Sequence, residues 1–288
     1  MKSCKILLKV FCVIFFTSAG LINAGGIDDS IDEGLVRSSN ETDEGDVDTI
    51  IGGWIVPRGD HKYMARLSSG CGGTVISDRH ILTAAHCLYG FSSVNVYMGV
   101  YTINPLDSGY IKRVVPSWNF RIHTSYKGQN WDDIAILKMD PPLSQTELSR
   151  IAIAKLPPAG TTVTYENQWA QAVGWGWTID GVSSGSPYLK ATWLAIQSKE
   201  YCSYKFYYVN VAVGNGESVG VPYNHALMMC TYRDNEGSCL GDSGGPIIVN
   251  DVQVGIASFG GPSCTYGGAW MRVSAYVNNG WIRNNMIY

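Results

Sequence analysis

The feature that most constrains this chain is its punctuation. From about residue 50 onward, short runs rich in Val, Ile, Thr and aromatics are cut by Gly and Pro turns. They are Gly73–Ile76, Val94–Met98, Ala135–Lys138, Thr162–Thr164, Pro246–Val249 and Val252–Ser258. Branched and aromatic side chains suit a pleated, half-buried surface, and glycine and proline set the turns between such runs. A helical period is sustained only late, from Ser274 to Asn285. The punctuation reads as all-β. A body of about 240 residues is long for one barrel and suits two small packed β units.

The first 49 residues have a different character. Lys2, Lys5 and Lys9 precede an apolar run from Val10 to Phe16, and small residues follow at Ser18, Ala19, Gly20 and Ala24. This pattern reads as a secretory signal peptide over 1–24, cleaved near Ala24. The run is short of the roughly 20 apolar residues that a membrane helix needs, which disfavours the alternative of an anchor. No later segment approaches that length. From Gly25 to Thr49, nine acids face the single base Arg37. Such a stretch cannot bury enough apolar surface to offset its ordering entropy, so it is expected to be flexible. Asn40-Glu41-Thr42 is a glycosylation acceptor there. The rest of the chain is nearly neutral, and no basic patch argues for nucleic acid.

Eight cysteines are present. Cys4 and Cys12 fall in the signal, which leaves Cys71, Cys87, Cys202, Cys230, Cys239 and Cys264 in the body. An even count in a secreted chain implies bridges, although counting leaves the connectivity open.

Three segments carry chemistry, in the order Thr83-Ala84-Ala85-His86-Cys87, Asp132-Asp133-Ile134-Ala135-Ile136-Leu137 and Gly241-Asp242-Ser243-Gly244-Gly245-Pro246. A serine hydroxyl is a poor nucleophile at neutral pH and needs a base, and the base needs a buried carboxylate to fix its tautomer. His, then Asp, then Ser is one of the known chain orders for that triad. Together with Ile50-Ile51-Gly52-Gly53, these segments resemble the trypsin/chymotrypsin family of secreted serine endopeptidases, over Ile50 to Tyr288. The three-bridge cysteine set is similar to that of invertebrate members.

The resemblance implies an all-β fold of two antiparallel six-stranded β-barrels with the cleft between them and a short C-terminal helix. The crossover should lie near Leu156 to Thr162. It implies the pairs Cys71–Cys87, Cys202–Cys230 and Cys239–Cys264. Where many vertebrate relatives have a further bridge, this chain has Ala170 and Val249. Residues 25–49 become an activation propeptide, and 50–288 the protease domain.

Ser243 is then the nucleophile, His86 the base and Asp133 its carboxylate. Asp133 is preferred to Asp132 because the apolar alternation begins directly after it, which leaves Asp132 exposed. The other histidines, His61, His80, His123 and His225, read as surface or locally bonded residues. The N–H groups of Gly241 and Ser243 should hold the oxyanion, and Ser258 aligns with a serine that bonds the buried aspartate. Asp242 is a carboxylate in a buried turn and is costly without a partner. A cut before Ile50 would supply one, the new α-ammonium. The departure is Thr49, where most relatives have Arg or Lys.

The primary pocket should be formed by Gly237 at its floor, Ser238 beside it, and Gly260 and Gly268 at the walls, with Ser258 and Phe259 along its edge. An uncharged slot favours Phe, Tyr, Leu or Met. Trp270, in place of a usual Tyr, would shorten it. An inward Glu236 or Asp234 would attract a cation, which keeps trypsin-like or elastase-like cleavage as alternatives. The aromatic run Tyr201, Tyr204, Phe206, Tyr207 and Tyr208 would either shape far subsites or pack as a surface loop. Val100 is no ligand at the position where calcium-binding relatives begin their acidic loop, so no calcium is expected there, and no other metal or cofactor. Expected partners are protein or peptide substrates, an activating protease and proteinaceous inhibitors, with the chain a monomer free of membrane. A non-catalytic homologue that binds or regulates a partner is the competing class.

Overall fold

The computed structural model describes residues 50–126, 131–206, 210–212, 218–220 and 223–287. The expected signal, the acidic segment with Asn40 and Thr49, and Tyr207 and Tyr208 lie outside the described residues.

The first half contains β1 (Trp54–Ile55), β2 (Met64–Leu67), β3 (Gly72–Val75), β4 (His80–Thr83), β5 (Ser93–Met98), β6 (Ile111–Pro116), β7 (Phe120–Ile122) and β8 (Ala135–Lys138). The second contains β9 (Trp169–Gly174), β10 (Trp177–Ile179), β11 (Val182–Gly185), β12 (Lys190–Ile196), β13 (Asn210–Ala212) and β14 (Ser218–Gly220). It continues with β15 (Met228–Tyr232), β16 (Pro246–Val249), β17 (Val252–Gly260) and β18 (Gly268–Arg272). The helices are α1 (Gln145–Leu148), α2 (Lys199–Phe206), α3 (Val273–Asn278) and α4 (Trp281–Met286).

The first sheet runs β6-β5-β2-β3-β4-β8-β7 and is nearly closed. Its strands β6 and β7 are two halves of one bent segment, parted by a turn at Ser117–Asn119. The second sheet closes on itself as β12-β15-β18-β17-β16-β9, with β9 returning to β12 and β1 added at the start of β12. All pairings between named strands are antiparallel. The two-barrel expectation therefore holds. Closure removes exposed edges, and each barrel packs its inward side chains: Val75, Ile81, Val96 and Ile136 in the first, Leu194, Ile247, Val254 and Trp270 in the second.

Three expectations are corrected. Thr162–Thr164 is not a strand; it lies in the irregular crossover, where the Thr164 carbonyl accepts from Arg272 Nη1 at 2.9 Å. The C-terminal helical stretch is two helices, because Gly280 takes a φ of 80° that ends one and starts the other. Helices α1 and α2 lie in segments where no helical period stands out. Helix α1 is one turn closed by a capping box, with Ser144 accepting from the Glu147 N–H and Glu147 from the Ser144 N–H.

All three bridges form as the resemblance implied: Cys71–Cys87, Cys202–Cys230 and Cys239–Cys264. Ala170 and Val249 are buried together in the second core. The halves meet through buried polar contacts. Thr74 Oγ1 donates to Gln253 Oε1 at 2.7 Å, and the Gly72 N–H donates to the Ser243 carbonyl at 2.8 Å. The latter sets the edge of β3 against the serine turn.

Candidate active site

His86 follows β4 on a short 3-10 turn, Ala85–Cys87, clamped by the Cys71–Cys87 bridge. Asp133 precedes β8 and is fully buried. Because β4 and β8 pair directly, with Thr83 opposite Ala135, their ends deliver the two residues to the same place. Asp133 Oδ1 accepts from the His86 N–H at 2.8 Å and Oδ2 contacts His86 Nδ1 at 2.7 Å. Ser258, from β17 of the other barrel, donates to the same Oδ2 at 2.6 Å.

This arrangement fixes the electrostatics. Burial opposes charge on both groups. Against it, the His86 imidazole and the Ser258 hydroxyl hold the Asp133 carboxyl below its ordinary value. The Asp133 carboxylate in turn raises His86 above its ordinary value despite burial. With Nδ1 committed to Asp133, the base is left with Nε2. That atom lies 3.6 Å from Cys87 Sγ. Among the described residues no hydrogen bond joins Nε2 to the Ser243 hydroxyl, so the structure brings three expected residues together and leaves this link open.

The serine turn is built around close backbone approaches. A side chain at Gly244, where φ is 76°, would run into Thr83 Oγ1 and the Gly72 carbonyl. The N–H groups of Asp242, Gly244 and Gly245 donate to the carbonyls of Cys239, Ala257 and Asp242. Among the described residues, the N–H groups of Gly241 and Ser243 donate to none. Asp242 is buried and its carboxylate accepts from the N–H groups of Gly176 and Cys239 at 2.8 and 2.9 Å. Burial still pushes its pKa up to about 6, against those two bonds and the charge of Arg66.

Sequence reasoning missed the cradle for this carboxylate. A Cβ on Gly174 or Gly176 would lie 2.1 or 2.4 Å from an Asp242 carboxylate oxygen, so only glycine fits on either side of Trp175. The Gly174-Trp175-Gly176 spacing was the available signal. Ile50 is also buried, at 1% exposure, and its neighbour Ile51 pairs with Gly237. The start of the protease body is thus tucked beside the expected pocket.

Around that pocket, the missing side chains leave less open space than the glycines alone suggest. A Cβ on Gly237 would meet the Cys264 carbonyl at 2.0 Å. At Gly268 it would meet Ser238 Oγ at 2.9 Å and the Trp270 indole nitrogen at 3.1 Å. Trp270 is buried, and its indole N–H donates to Thr231 Oγ1 at 2.9 Å. Gly260 has room, its nearest neighbour being the Gly267 carbonyl at 3.5 Å. Phe259 packs edge-on against Phe206 of α2, with ring centroids 5.8 Å apart. Phe206 is therefore core, whereas Tyr204 is 86% exposed. Neither nearby acid is free. Glu236 pairs with Arg233 at 2.9 Å and accepts from Thr192, and Asp234 accepts from the Tyr232 hydroxyl at 2.6 Å.

One expectation about the acid pair fails. Asp132 is not exposed. It takes a φ of 46° and accepts from the Tyr276 hydroxyl of α3 at 3.0 Å, with His123 Nδ1 3.8 Å away. The turn that sends Asp133 inward needs an anchored neighbour. The other histidines have side-chain partners: His61 and His80 bond to the nearby Tyr63 and Ser77, whereas His123 and His225 lie against Asp132 and the sequence-distant Glu166.

Two β-barrels that present a buried Asp–His pair from one and a Gly-framed serine turn from the other fit the two-barrel class of serine protease. The trypsin family model matches residues 50–282, and the chain belongs to that family. It is 31% identical over 218 residues to a chymotrypsin of Phaedon cochleariae, a match covering 75% of this chain and 71% of that protein. It is 31% identical over 246 residues to chymotrypsin-2 of Vespa crabro, covering 83% of this chain and all of that one. A third relative, glucanase inhibitor protein 3 of Phytophthora infestans, is 28% identical over 251 residues, 82% of this chain and 87% of that protein. Among the described residues, no helix is long and apolar enough to cross a membrane.

Proposed function

We propose that this chain is a secreted serine endopeptidase, made as a zymogen and cut before Ile50, that hydrolyses peptide bonds through Ser243, His86 and Asp133. The observation that carries the reading is the fully buried Asp133, gripped by His86 from one barrel and Ser258 from the other. A buried carboxylate is costly unless it is paired, and here the pairing orients an imidazole. Ser243 Oγ attacks the peptide carbonyl while His86 Nε2 takes its proton. Asp133 stabilises the imidazolium and stays ionised. The N–H groups of Gly241 and Ser243 receive the oxyanion, and the imidazolium returns its proton to the leaving amine. Water repeats the cycle on the acyl-enzyme.

Primary specificity is for an apolar side chain before the cut. Among the described residues near the pocket, Glu236 is paired with Arg233, Asp234 is held by the Tyr232 hydroxyl and Asp180 by the Cys264 N–H. An arginine would lose its hydration without a buried carboxylate to replace it. Trp270 and Ser238 limit the depth at Gly268, which favours Leu and Met along with Phe and Tyr. Chromogenic peptides that differ only at this residue should be cut at least about tenfold faster with these four than with Arg or Lys, a gap of about 1.4 kcal/mol. A winning Arg peptide overturns the neutral-pocket argument. Cleavage only after Ala or Val means Trp270 has closed the slot.

The test of the activity itself is an organofluorophosphate. It should label Ser243 alone and abolish turnover, and Ser243→Ala should lose several orders of magnitude in kcat without unfolding. A folded, cut protein that neither labels nor hydrolyses any peptide would instead be a binding homologue; one relative, that of Phytophthora infestans, is named a glucanase inhibitor protein.

A further inference from the structure

Arg66 lies on β2 and is half-buried. Nη1 donates to the carbonyls of Gly70 at 2.6 Å, Cys71 at 3.3 Å and Gly241 at 3.4 Å. Among the described residues Arg66 forms no ion pair. A cation held by carbonyls alone is an expensive thing to bury. Two of those carbonyls belong to the turn between β2 and β3 in the first barrel. The third belongs to the serine turn in the second.

The serine turn needs such a holder. Gly241 has a φ of 101° and no side chain to resist rotation. Its N–H and that of Ser243 are the two groups left unpaired by the rest of the turn. The peptide between Gly241 and Asp242 is pinned on its other side, where the Asp242 N–H donates to Cys239. Arg66 reaches the carbonyl side of that same peptide with the longest of its three contacts, 3.4 Å. Its charge also acts on the buried Asp242 carboxylate, which no other cation reaches among the described residues.

We propose that Arg66 is a positioning residue that holds the Gly241 carbonyl from behind and so keeps the N–H groups of Gly241 and Ser243 aimed at the oxyanion. The proposal rests on the reading of those two groups given above. Arg66 lies outside the triad and the pocket, and it acts from the opposite barrel. The turn it spans, Ser68-Ser69-Gly70, is short enough to bring the carbonyls of Gly70 and Cys71 to the same guanidinium.

The experiment uses the full chain cut before Ile50, with Arg66→Met and Arg66→Lys. A peptide boronic acid reports on the oxyanion site, because its adduct with the serine places an oxygen there. Indole reports on the apolar pocket alone. Arg66→Met is expected to lower kcat about 10- to 100-fold with KM within threefold. Boronate affinity should fall in parallel and indole affinity should hold. Arg66→Lys, which keeps the charge and can still donate, should recover at least half of the loss on a logarithmic scale. Unchanged kcat and boronate affinity overturn the proposal, and so does a loss shared equally by indole. If Arg66→Met does not fold, Arg66→Gln carries the same test, and wild-type values for it overturn the proposal. If the unsubstituted cut enzyme hydrolyses nothing, the wider reading fails. If it turns over and Arg66→Met matches it, only this inference fails.

Discussion

Ser258 decides how firmly Asp133 is held, because its hydroxyl shares Oδ2 with His86. Hydrogen bonds to a buried charge contribute about 1.5–3 kcal/mol. Ser258→Ala should therefore lower kcat/KM by about 10- to 100-fold, measured on one good peptide, with the fold intact by circular dichroism. An effect under threefold would make Ser258 an ordinary strand serine. The same cluster sets the pH profile. Burial opposes the imidazolium, but the Asp133 carboxylate outweighs it and raises His86 above the ordinary value of about 6.5. Only the neutral imidazole can accept the serine proton. Activity must then rise with pH through a midpoint above about 6.5, and a midpoint below that value contradicts the coupling. The sign for stability is opposite. A raised histidine value favours the folded state most at low pH, and that contribution fades as pH climbs through the folded value.

At the scale of elements, the parts nearest the chemistry extend furthest beyond what the sequence makes plain. Strands such as Ala135–Lys138 are legible because a short apolar run, buried on both faces, ends on a half-buried lysine. His86 and Asp133 are legible as a pair because their chemistry demands rare neighbours, and the fold joins them; the role read for Ser243 stays a proposal. Thr162–Thr164 misleads: its branched residues look like a strand, yet the crossover between barrels offers them no ladder partner. Asp132 misleads for the reverse reason. Local alternation sends it outward, but its partner Tyr276 lies 144 residues away on α3, and only the fold brings them together. Tyr276→Phe tests that anchor. It should cost about 1 kcal/mol in unfolding free energy and also reduce kcat, since the turn carrying Asp133 loses its tether. A loss of stability with kcat unchanged would make the contact purely structural. The Cys202–Cys230 bridge closes 28 residues over α2 and its aromatic core. Replacing both cysteines with serine should cost about 3–4 kcal/mol by the loop-entropy account, read as a fall in the denaturant midpoint at constant m.

For the molecule as a whole, the proposed cut before Ile50 is the event on which activity turns, and Asp242 makes it measurable. In the uncut chain the nitrogen of Ile50 is a neutral amide. Asp242 then sits in its glycine cradle with two N–H donors and the distant charge of Arg66, and burial lifts its pKa to about 6. In the unfolded chain the same carboxyl titrates near about 3.9. The folded state thus holds the proton more tightly. Stability of the uncut chain should fall as pH rises from about 4 to about 6, and then stay at the lower level. The cost at neutral pH is on the order of 3 kcal/mol. On the proposed reading, a cut that placed an ammonium against Asp242 would remove this penalty and order the turn carrying Gly241 and Ser243. The cut chain should then melt several degrees above the uncut one at pH 7.5, and the difference should shrink toward pH 5. Thr49 gives the means of making both forms, since trypsin has no basic residue immediately before Ile50 to recognise. Thr49→Arg should let trypsin expose Ile50 and switch on peptidase activity, whereas the native chain treated in the same way should stay silent. If the Thr49→Arg protein is cut, starts at Ile50 by N-terminal sequencing, and yet gains neither activity nor a pH-dependent rise in Tm, then Ile50 is not the partner of Asp242. In that event the serine turn is ordered by contacts already present in the uncut chain.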